Sequence, residues 1–256
     1  MSGEKNKIKK IGLLTSGGDA PGMNAAIRSI VRKGIYEGLE VVGILRGYEG
    51  LINGEMIEMN SRSVSNILSR GGTILKTARS KEFMTPEGRQ KAAKVIKDNG
   101  IDAVIIIGGN GSFTGADLLY RECGIKTIGV PGTIDNDLGH TDYTIGSRTS
   151  VDTALDAIDK IRDTVSSMER IYVIEVMGRM EPYIAVMSGL AGGAEEVLYP
   201  GSKVTLEQIA EEISAAEKKG KRSWIIIVSE GYSDAHSLAK KIQDKTGYET
   251  RGITLG

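Results

Sequence analysis

Seven consecutive residues, Pro131-Gly132-Thr133-Ile134-Asp135-Asn136-Asp137, put a hydroxyl and two carboxylates just past the apolar run Thr127–Val130. The run reads as a buried strand. Pro131 and Gly132 are expected to end it, because proline cannot donate to a ladder and glycine permits a sharp turn. In open parallel sheets, ligands bind at the carboxyl ends of strands. Asp135 and Asp137 sit two apart on an irregular loop, so one can take a proton while the other holds a cation. The plain alternative is a polar turn, where Asp and Asn are common.

Two glycine-rich turns add to this. Thr15-Ser16-Gly17-Gly18-Asp19-Ala20-Pro21-Gly22 follows a short apolar strand, Lys10–Leu14, and precedes a helix expected from Met23 to Glu37. Strand, glycine turn and helix start make a layout that suits phosphate. Bare amides and the helix N-terminus supply donors and partial positive charge, and Gly17 and Gly18 leave the main chain open to a ligand. The turn is neither a P-loop, since no Lys-Ser/Thr follows the glycines, nor the dinucleotide G-x-G-x-x-G. Gly108-Gly109-Asn110-Gly111-Ser112 repeats the layout after the apolar strand Ala103–Ile107, with a helix expected from Thr114 to Arg121. Gly71-Gly72-Thr73 and Lys76-Thr77-Ala78-Arg79-Ser80 form a further glycine and cation loop. The fork of Arg79 can hold two phosphate oxygens at once; taken alone, it is an ordinary solvated arginine. Tyr48, at the end of the strand Val41–Leu45, is either a ring that stacks on a base or a satisfied surface tyrosine.

The elements that must position these loops follow from periodicity. Pro86–Asn99 reads as an amphipathic helix with proline in its first turn and Asn99-Gly100 as its stop. Ser63–Ser69 has helical spacing. Asp152–Arg162 places Ala154, Leu155, Ile158 and Ile161 on one helical face. Ile171–Val176 and Trp224–Val228 read as buried strands, Leu206–Lys219 and Ala235–Thr246 as helices closed by Gly220 and Gly247. Strand and helix alternate without hairpin signals, which predicts βαβ units and parallel sheets. A boundary near Ser147 divides the chain into domains 1–146 and 147–256. Arg170, Arg179, Glu230 and Arg251 fall at or near strand ends in the second.

Composition narrows the function classes. A chain of 256 residues allows one large domain or two small ones. Its 33 basic and 33 acidic residues cancel, so no basic excess points to nucleic acid. Aromatics are 5% of the chain, too few for base-stacking platforms. No run approaches the roughly 20 apolar residues of a membrane span. Cys123 stands alone, so no internal disulfide forms and a reducing, cytoplasmic compartment is expected; a buried structural thiol is the expectation for it. Met1–Lys10 is polar and lysine-rich without an apolar stretch behind it, unlike a secretory signal.

Gly17–Asn24, Gly108–Ser112, Pro131–Asp137 with Tyr143-Thr144-Ile145-Gly146, Val176–Arg179 and Glu249-Thr250-Arg251 together resemble the ATP-dependent 6-phosphofructokinases of the bacterial type, from about Lys9 to the last residue. The resemblance implies two doubly wound three-layer (αβα) domains with mainly parallel sheets, an active site in the cleft between them, and a homotetramer. It implies transfer of the γ-phosphoryl of ATP to the 1-hydroxyl of fructose 6-phosphate, with Mg²⁺. Asp135 matches the base, Thr133 the residue that holds the phosphoryl group, Arg79 and Arg179 the cations that offset its charge, and Gly18 an amide donor. Tyr48, Arg79, Ser80, Gly109, Asn110, Gly111 and Ser112 match ATP contacts. Arg170 and Arg251 match a pair that holds the sugar phosphate from a neighbouring subunit; Met177, Gly178 and Glu230 match sugar contacts, and Asp137 helps organise Mg²⁺. Pyrophosphate-using relatives typically carry Asp and Lys where Gly111 and Gly132 stand, so the glycines point to ATP. Arg28, Arg32, Arg162, Glu195, Lys219 and Lys221 match an allosteric site for ADP or phosphoenolpyruvate.

Four departures stand out. Asn110 replaces a family aspartate that serves Mg²⁺, which predicts weaker metal binding and lower activity. Ser61, beside Arg62, replaces an effector-site arginine. Met180-Glu181-Pro182-Tyr183 replaces the family's usual residues after Arg179. The chain stops at Gly256, where family members continue for tens of residues; the expectation is a truncated sequence that leaves an apolar face of the first domain uncovered. Asn110 and the early stop favour a second reading, a nucleotide-binding or regulatory chain without turnover. A third, phosphotransfer like that of diacylglycerol or NAD kinases, shares the Gly108–Ser112 type of loop but leaves Pro131–Asp137 and Arg251 unexplained.

Overall fold

A computed structural model describes residues 8–255. The amino-terminal stretch read above as polar and lysine-rich lies mostly outside these residues. The chain divides into two compact units between Gly146 and Ser147.

In the first unit, β1 (Lys10–Thr15), β2 (Glu40–Ile44), β3 (Met56–Met59), β4 (Ala103–Gly108), β5 (Lys126–Thr133) and β6 (Ile145–Gly146) form one sheet in the order β3-β2-β1-β4-β5-β6. All pairs are parallel except β2 with β3. One antiparallel pair is consistent with the mainly parallel sheets expected; the four residues Met56–Met59 are too short a run to read as a strand from sequence. Helices α1 (Met23–Tyr36), α2 (Gly47–Asn53), α3 (Pro86–Asp98) and α4 (Asn110–Cys123) cover the sheet. Two cores lie on its opposite faces because strand residues alternate. Ile11, Leu13 and Ile107 pack with Met23, Ile27 and Val31 of α1. Leu14, Val104 and Ile106 pack with Ala92 and Ile96 of α3 and with Ala116 and Leu119 of α4.

The second unit is a fully parallel sheet of β7 (Ile171–Val176), β8 (Glu196–Leu198), β9 (Trp224–Ser229) and β10 (Thr250–Thr254), in the order β10-β7-β9-β8. Its helices are α5 (Ser147–Met168), α6 (Tyr183–Ala191), α7 (Leu206–Glu217) and α8 (Ala235–Thr246). All six residues of β9 are buried, as a central strand requires. Thr205 and Gln208 form a reciprocal capping box at α7, and Asp234 caps α8 through the Ser237 amide.

The structure corrects four local expectations. Pro131 and Gly132 do not end β5, which continues to Thr133. β6 pairs only Gly132 and Thr133, so Pro131 sits where one side of the strand is open and a missing N–H loses no bond. Helix α4 starts at Asn110, not Thr114, so Asn110-Gly111-Ser112 is a helical first turn. Ser63–Ser69 forms successive turns rather than a helix, with Asn66 in the left-handed region. Tyr48, expected at the end of the strand Val41–Leu45, lies instead in the helix Gly47–Asn53, whose flanking residues Arg46 and Gly54 both have positive φ. In the first unit Ile128 of β5 is 60% exposed and Tyr120 of α4 is 57% exposed.

Candidate functional site

Strands β1, β4 and β5 are neighbours and parallel, so their carboxyl ends lie side by side. Strand order reverses at β1, with β2 on one side and β4 on the other. That is a topological switch point, where sheets of this kind open a crevice. The loops after all three strands converge on it. A Cβ on Gly108 would lie 2.5 Å from Ser112 Oγ and 2.6 Å from the Ser16 carbonyl oxygen; a Cβ on Gly109 would lie 3.3 Å from Thr133 Cβ. Gly108 is therefore glycine because the first two loops touch there. Gly18 and Gly111 have open space where a side chain would stand, which leaves room for a ligand at the main chain. The same cannot be said of Gly132, whose Cβ would lie 2.8 Å from Ile107 Cγ2. Its lack of a side chain has a packing cause of its own.

The loop after β5 is built around Asn136. Its φ of 52° is left-handed, a conformation that asparagine tolerates. Its side chain accepts from the Thr144 amide at 2.9 Å and donates to the Asp142 carbonyl at 3.2 Å. Thr144 Oγ1 donates to the Thr133 carbonyl at 2.7 Å. Asp135, half-buried, has its amide on Thr133 Oγ1 at 3.3 Å. Asn110 Nδ2 donates to Asp137 Oδ2 at 2.6 Å and to the Asp137 carbonyl at 3.2 Å, tying the start of α4 to this loop. Asp137 Oδ1 is buried without a hydrogen-bond partner.

Sequence reading includes Thr15 and Asn24 in its motifs but gives them no role; they hold the Arg70–Lys76 segment beside these loops. The buried Asn24 amide donates to the carbonyls of Arg70 and Gly72 and accepts from the Ile74 amide, all within 2.9 Å. Thr15 Oγ1 meets Thr73 Oγ1 at 3.0 Å and the Lys76 carbonyl at 2.9 Å, and Asp19 takes the Thr73 amide at 2.9 Å. Asparagine immediately after the first glycine turn is the one visible sign of this in the sequence. Arg79 lies exposed beyond that segment.

Tyr48 is neither a surface tyrosine nor a ring with a face open to a base. It is 7% exposed, stacks on Phe83 at 3.8 Å between ring centroids, and donates its hydroxyl to the Ser112 carbonyl at 2.6 Å. Burial raises its pKa well above the usual phenol range. Ser80 Oγ accepts from the Phe83 amide at 3.2 Å. Tyr48 and Ser80 thus brace the loops that carry Ser112 and Arg79. Cys123 is half-buried with its thiol pKa raised by burial, as a structural cysteine has it.

In the second unit, β7 and β9 end side by side in Met177-Gly178-Arg179 and Glu230-Gly231. Gly231 packs so closely on Arg179 that a Cβ there would lie 1.8 Å from the Arg179 carbonyl oxygen. Ser229 Oγ donates to the Gly178 carbonyl, and Arg179 Nε lies 3.5 Å from Glu230 Oε1. Pro182 caps α6 just beyond, so the unusual Met180–Tyr183 segment is a helix entry. Arg170 and Arg251 sit at the opposite, amino ends of β7 and β10. Both are held by Glu249: Arg170 Nε on Oε2 at 2.7 Å and Arg251 Nη2 on Oε1 at 2.6 Å. The Arg251 hydrogen bond, with help from Arg170, holds the Glu249 carboxyl below its usual range. Arg170 and Arg179 are thus at opposite ends of one inner strand, separated by the six residues of β7, roughly 17–20 Å.

The candidate effector cations divide. Arg28 donates to the Val64 carbonyl at 2.7 Å, a structural use that its spacing from Arg32 did not reveal; Arg32 is exposed. Arg162 sits on the Gly192 and Gly193 carbonyls. Glu195 pairs with Lys221 Nζ at 2.7 Å and accepts the Ile225 amide at 2.7 Å, while Lys219 stays exposed after α7.

Among the described residues, no group of three or more His, Cys, Asp or Glu gathers as a metal cluster. Mg²⁺ needs only one or two carboxylates when water and phosphate oxygens complete its shell. The orphaned Asp137 Oδ1 fits that demand. No helix among the described residues is long and apolar enough to cross a membrane.

Comparison with known proteins agrees with this layout. The sequence profile described as "Phosphofructokinase" matches residues 10–256. An ATP-dependent 6-phosphofructokinase of Clostridium botulinum (strain Hall) is 55% identical over 249 residues, covering 97% of this chain and 78% of that protein. The enzyme of that name from Halothermothrix orenii is 52% identical, covering 97% and 79%. Among solved structures, phosphofructokinase from Saccharomyces cerevisiae is 37% identical with a TM-score of 0.86, over 97% of this chain and 38% of that one. A pyrophosphate-dependent phosphofructokinase from Nitrosospira multiformis has the same TM-score at 20% identity, over 96% and 68%, a likeness of fold alone.

Proposed function

We propose that this chain, which belongs to the phosphofructokinase family, transfers the γ-phosphoryl group of ATP to the 1-hydroxyl of fructose 6-phosphate. The observation that carries the reading is the convergence of three loops at one switch point, with Thr133 against Gly109 and Asp135 two residues on. Relatives more than 50% identical and named for this reaction support it. They also weigh against a chain without turnover.

In this reading the amides of Gly18 and Gly109–Ser112 receive the donor's phosphates at the start of α4, where the helix dipole adds partial positive charge. Open space at Gly111 leaves room for the α-phosphate of ATP. Asp135 accepts the proton of the sugar hydroxyl as that oxygen attacks phosphorus. Thr133 steadies the phosphoryl group in flight. Arg79 and Arg179 offset its charge in a loose transition state. Asp137, beside Asn110, would hold Mg²⁺, which would neutralise charge on the phosphates. Met177, Gly178 and Glu230 contact the sugar. Arg170 and Arg251, on the far edge of their sheet, cannot reach the ligand that Arg179 touches; they serve the sugar phosphate bound to a second copy of the chain. That exchange motivates a homo-oligomer, with the homotetramer as the expected form. Arg162, Glu195, Lys219, Lys221, Arg28 and Arg32 remain the candidates for ADP or phosphoenolpyruvate regulation, in a cytoplasmic enzyme.

The test is fructose 1,6-bisphosphate formed from fructose 6-phosphate with ATP or pyrophosphate as donor, across a Mg²⁺ titration. Product from ATP is expected. Faster turnover with pyrophosphate would overturn the donor assignment, and ATP binding without product would overturn the reaction.

A further inference from the structure

Asn110 is neutral, yet its amide nitrogen donates to two oxygens of Asp137, the carboxylate Oδ2 at 2.6 Å and the main-chain carbonyl at 3.2 Å. The orientation is fixed by chemistry, since a carboxylate and a carbonyl only accept and the amide NH₂ must face them. The two contacts bridge residues 27 apart in sequence, joining the first turn of α4 to the loop after β5. They also leave Asp137 half satisfied, with Oδ2 bonded and Oδ1 buried and orphaned.

We propose that Asn110 is a metal-independent latch between these two loops. A carboxylate at position 110 would set two anionic oxygens at hydrogen-bond distance, and the loops would part unless a cation or a proton came between them. Asparagine has nearly the same shape and replaces that repulsion with two donated hydrogen bonds. The loops therefore stay joined in the metal-free protein, and of the Asp137 carboxylate only Oδ1 is left without a hydrogen bond. The inference rests on the phosphotransfer reading only in taking these loops as the donor side of the site; the latch itself is a property of the free chain.

The test is thermal unfolding of the full chain in EDTA and in excess Mg²⁺, without nucleotide. The parent is expected to melt at nearly the same temperature in both. Asn110→Asp should melt lower than the parent in EDTA, on the order of 2–4 °C, and recover in Mg²⁺. Asn110→Ala, which removes the bonds without adding charge, should melt lower in both. A parent that gains as much from Mg²⁺ as Asn110→Asp would overturn the latch, and so would either variant melting at or above the parent in EDTA. Bisphosphate formation by the parent is measured separately: its absence would overturn the reaction while leaving the melting result to judge the latch.

Discussion

The two units present polar edges of opposite character. The first presents main chain: bare glycine amides, a helix start, and side chains such as Asn24, Thr15, Asn136 and Tyr48 whose polar atoms hold loops in place. The second presents cations, each leaning on a carboxylate, Arg179 on Glu230 and Arg170 and Arg251 on Glu249. In the proposed reading the difference follows from what each would hold. A chain of phosphates on a nucleotide is long and is met by many weak donors in a fixed array. A single terminal phosphate is met by a few strong, bidentate ones. Exposed ion pairs add little to stability, so in the proposed reading the glutamates hold the arginines in place until a phosphate displaces them.

The largest test of this contrast falls on the first unit. Asp135→Asn should lower kcat by about 10²–10⁴-fold, the usual contribution of a positioned base, with KM for both substrates little changed. Wild-type kcat in this variant would remove the loop after β5 from the chemistry. Arg251→Ala should act on the other parameter. Losing a charge-assisted contact worth about 1.5–3 kcal/mol should raise KM for fructose 6-phosphate about tenfold to a hundredfold while sparing KM for ATP. If the ATP constant moved instead, the assignment of edges would be reversed. The smallest effect is expected at Tyr48→Phe, which deletes the bond to Ser112 and keeps the stack on Phe83. Chemical denaturation should show a loss of about 1 kcal/mol. ATP affinity should fall only through the displaced Ser112 turn, and a loss as large as that of a direct contact would restore the base-stacking role.

Long elements were legible in the sequence because their signals are redundant. The apolar runs of β1, β4, β7 and β9, with glycine or proline at their borders, place those strands within a residue or two. The capped helices α3 and α8 follow in the same way. Elements that form only by tertiary pairing were not legible. β3, β6, β8 and β10 have two to five residues each and take their conformation from a neighbour's edge. Helix α2 contains Gly47 and Gly50 and no helix-favouring signal, and it forms because Tyr48, Leu51 and Ile52 bury together. At the site, residue types were legible and their partners were not. The motif shows Asn110 and Asp137; only the fold shows one amide committed to both oxygens of the same residue's backbone and side chain.

The position of Arg170 and Arg251, one strand length away from Arg179, bears on inheritance as well as on chemistry. In an assembly that shares its sites as proposed, each complete site draws on two chains. A chain damaged at Asp135 and a chain damaged at Arg251 are then defective in different contributions. Mixed in one oligomer, they rebuild some whole sites from two broken parts. Two faulty alleles can complement one another, and a single faulty one depresses the output of its healthy partner.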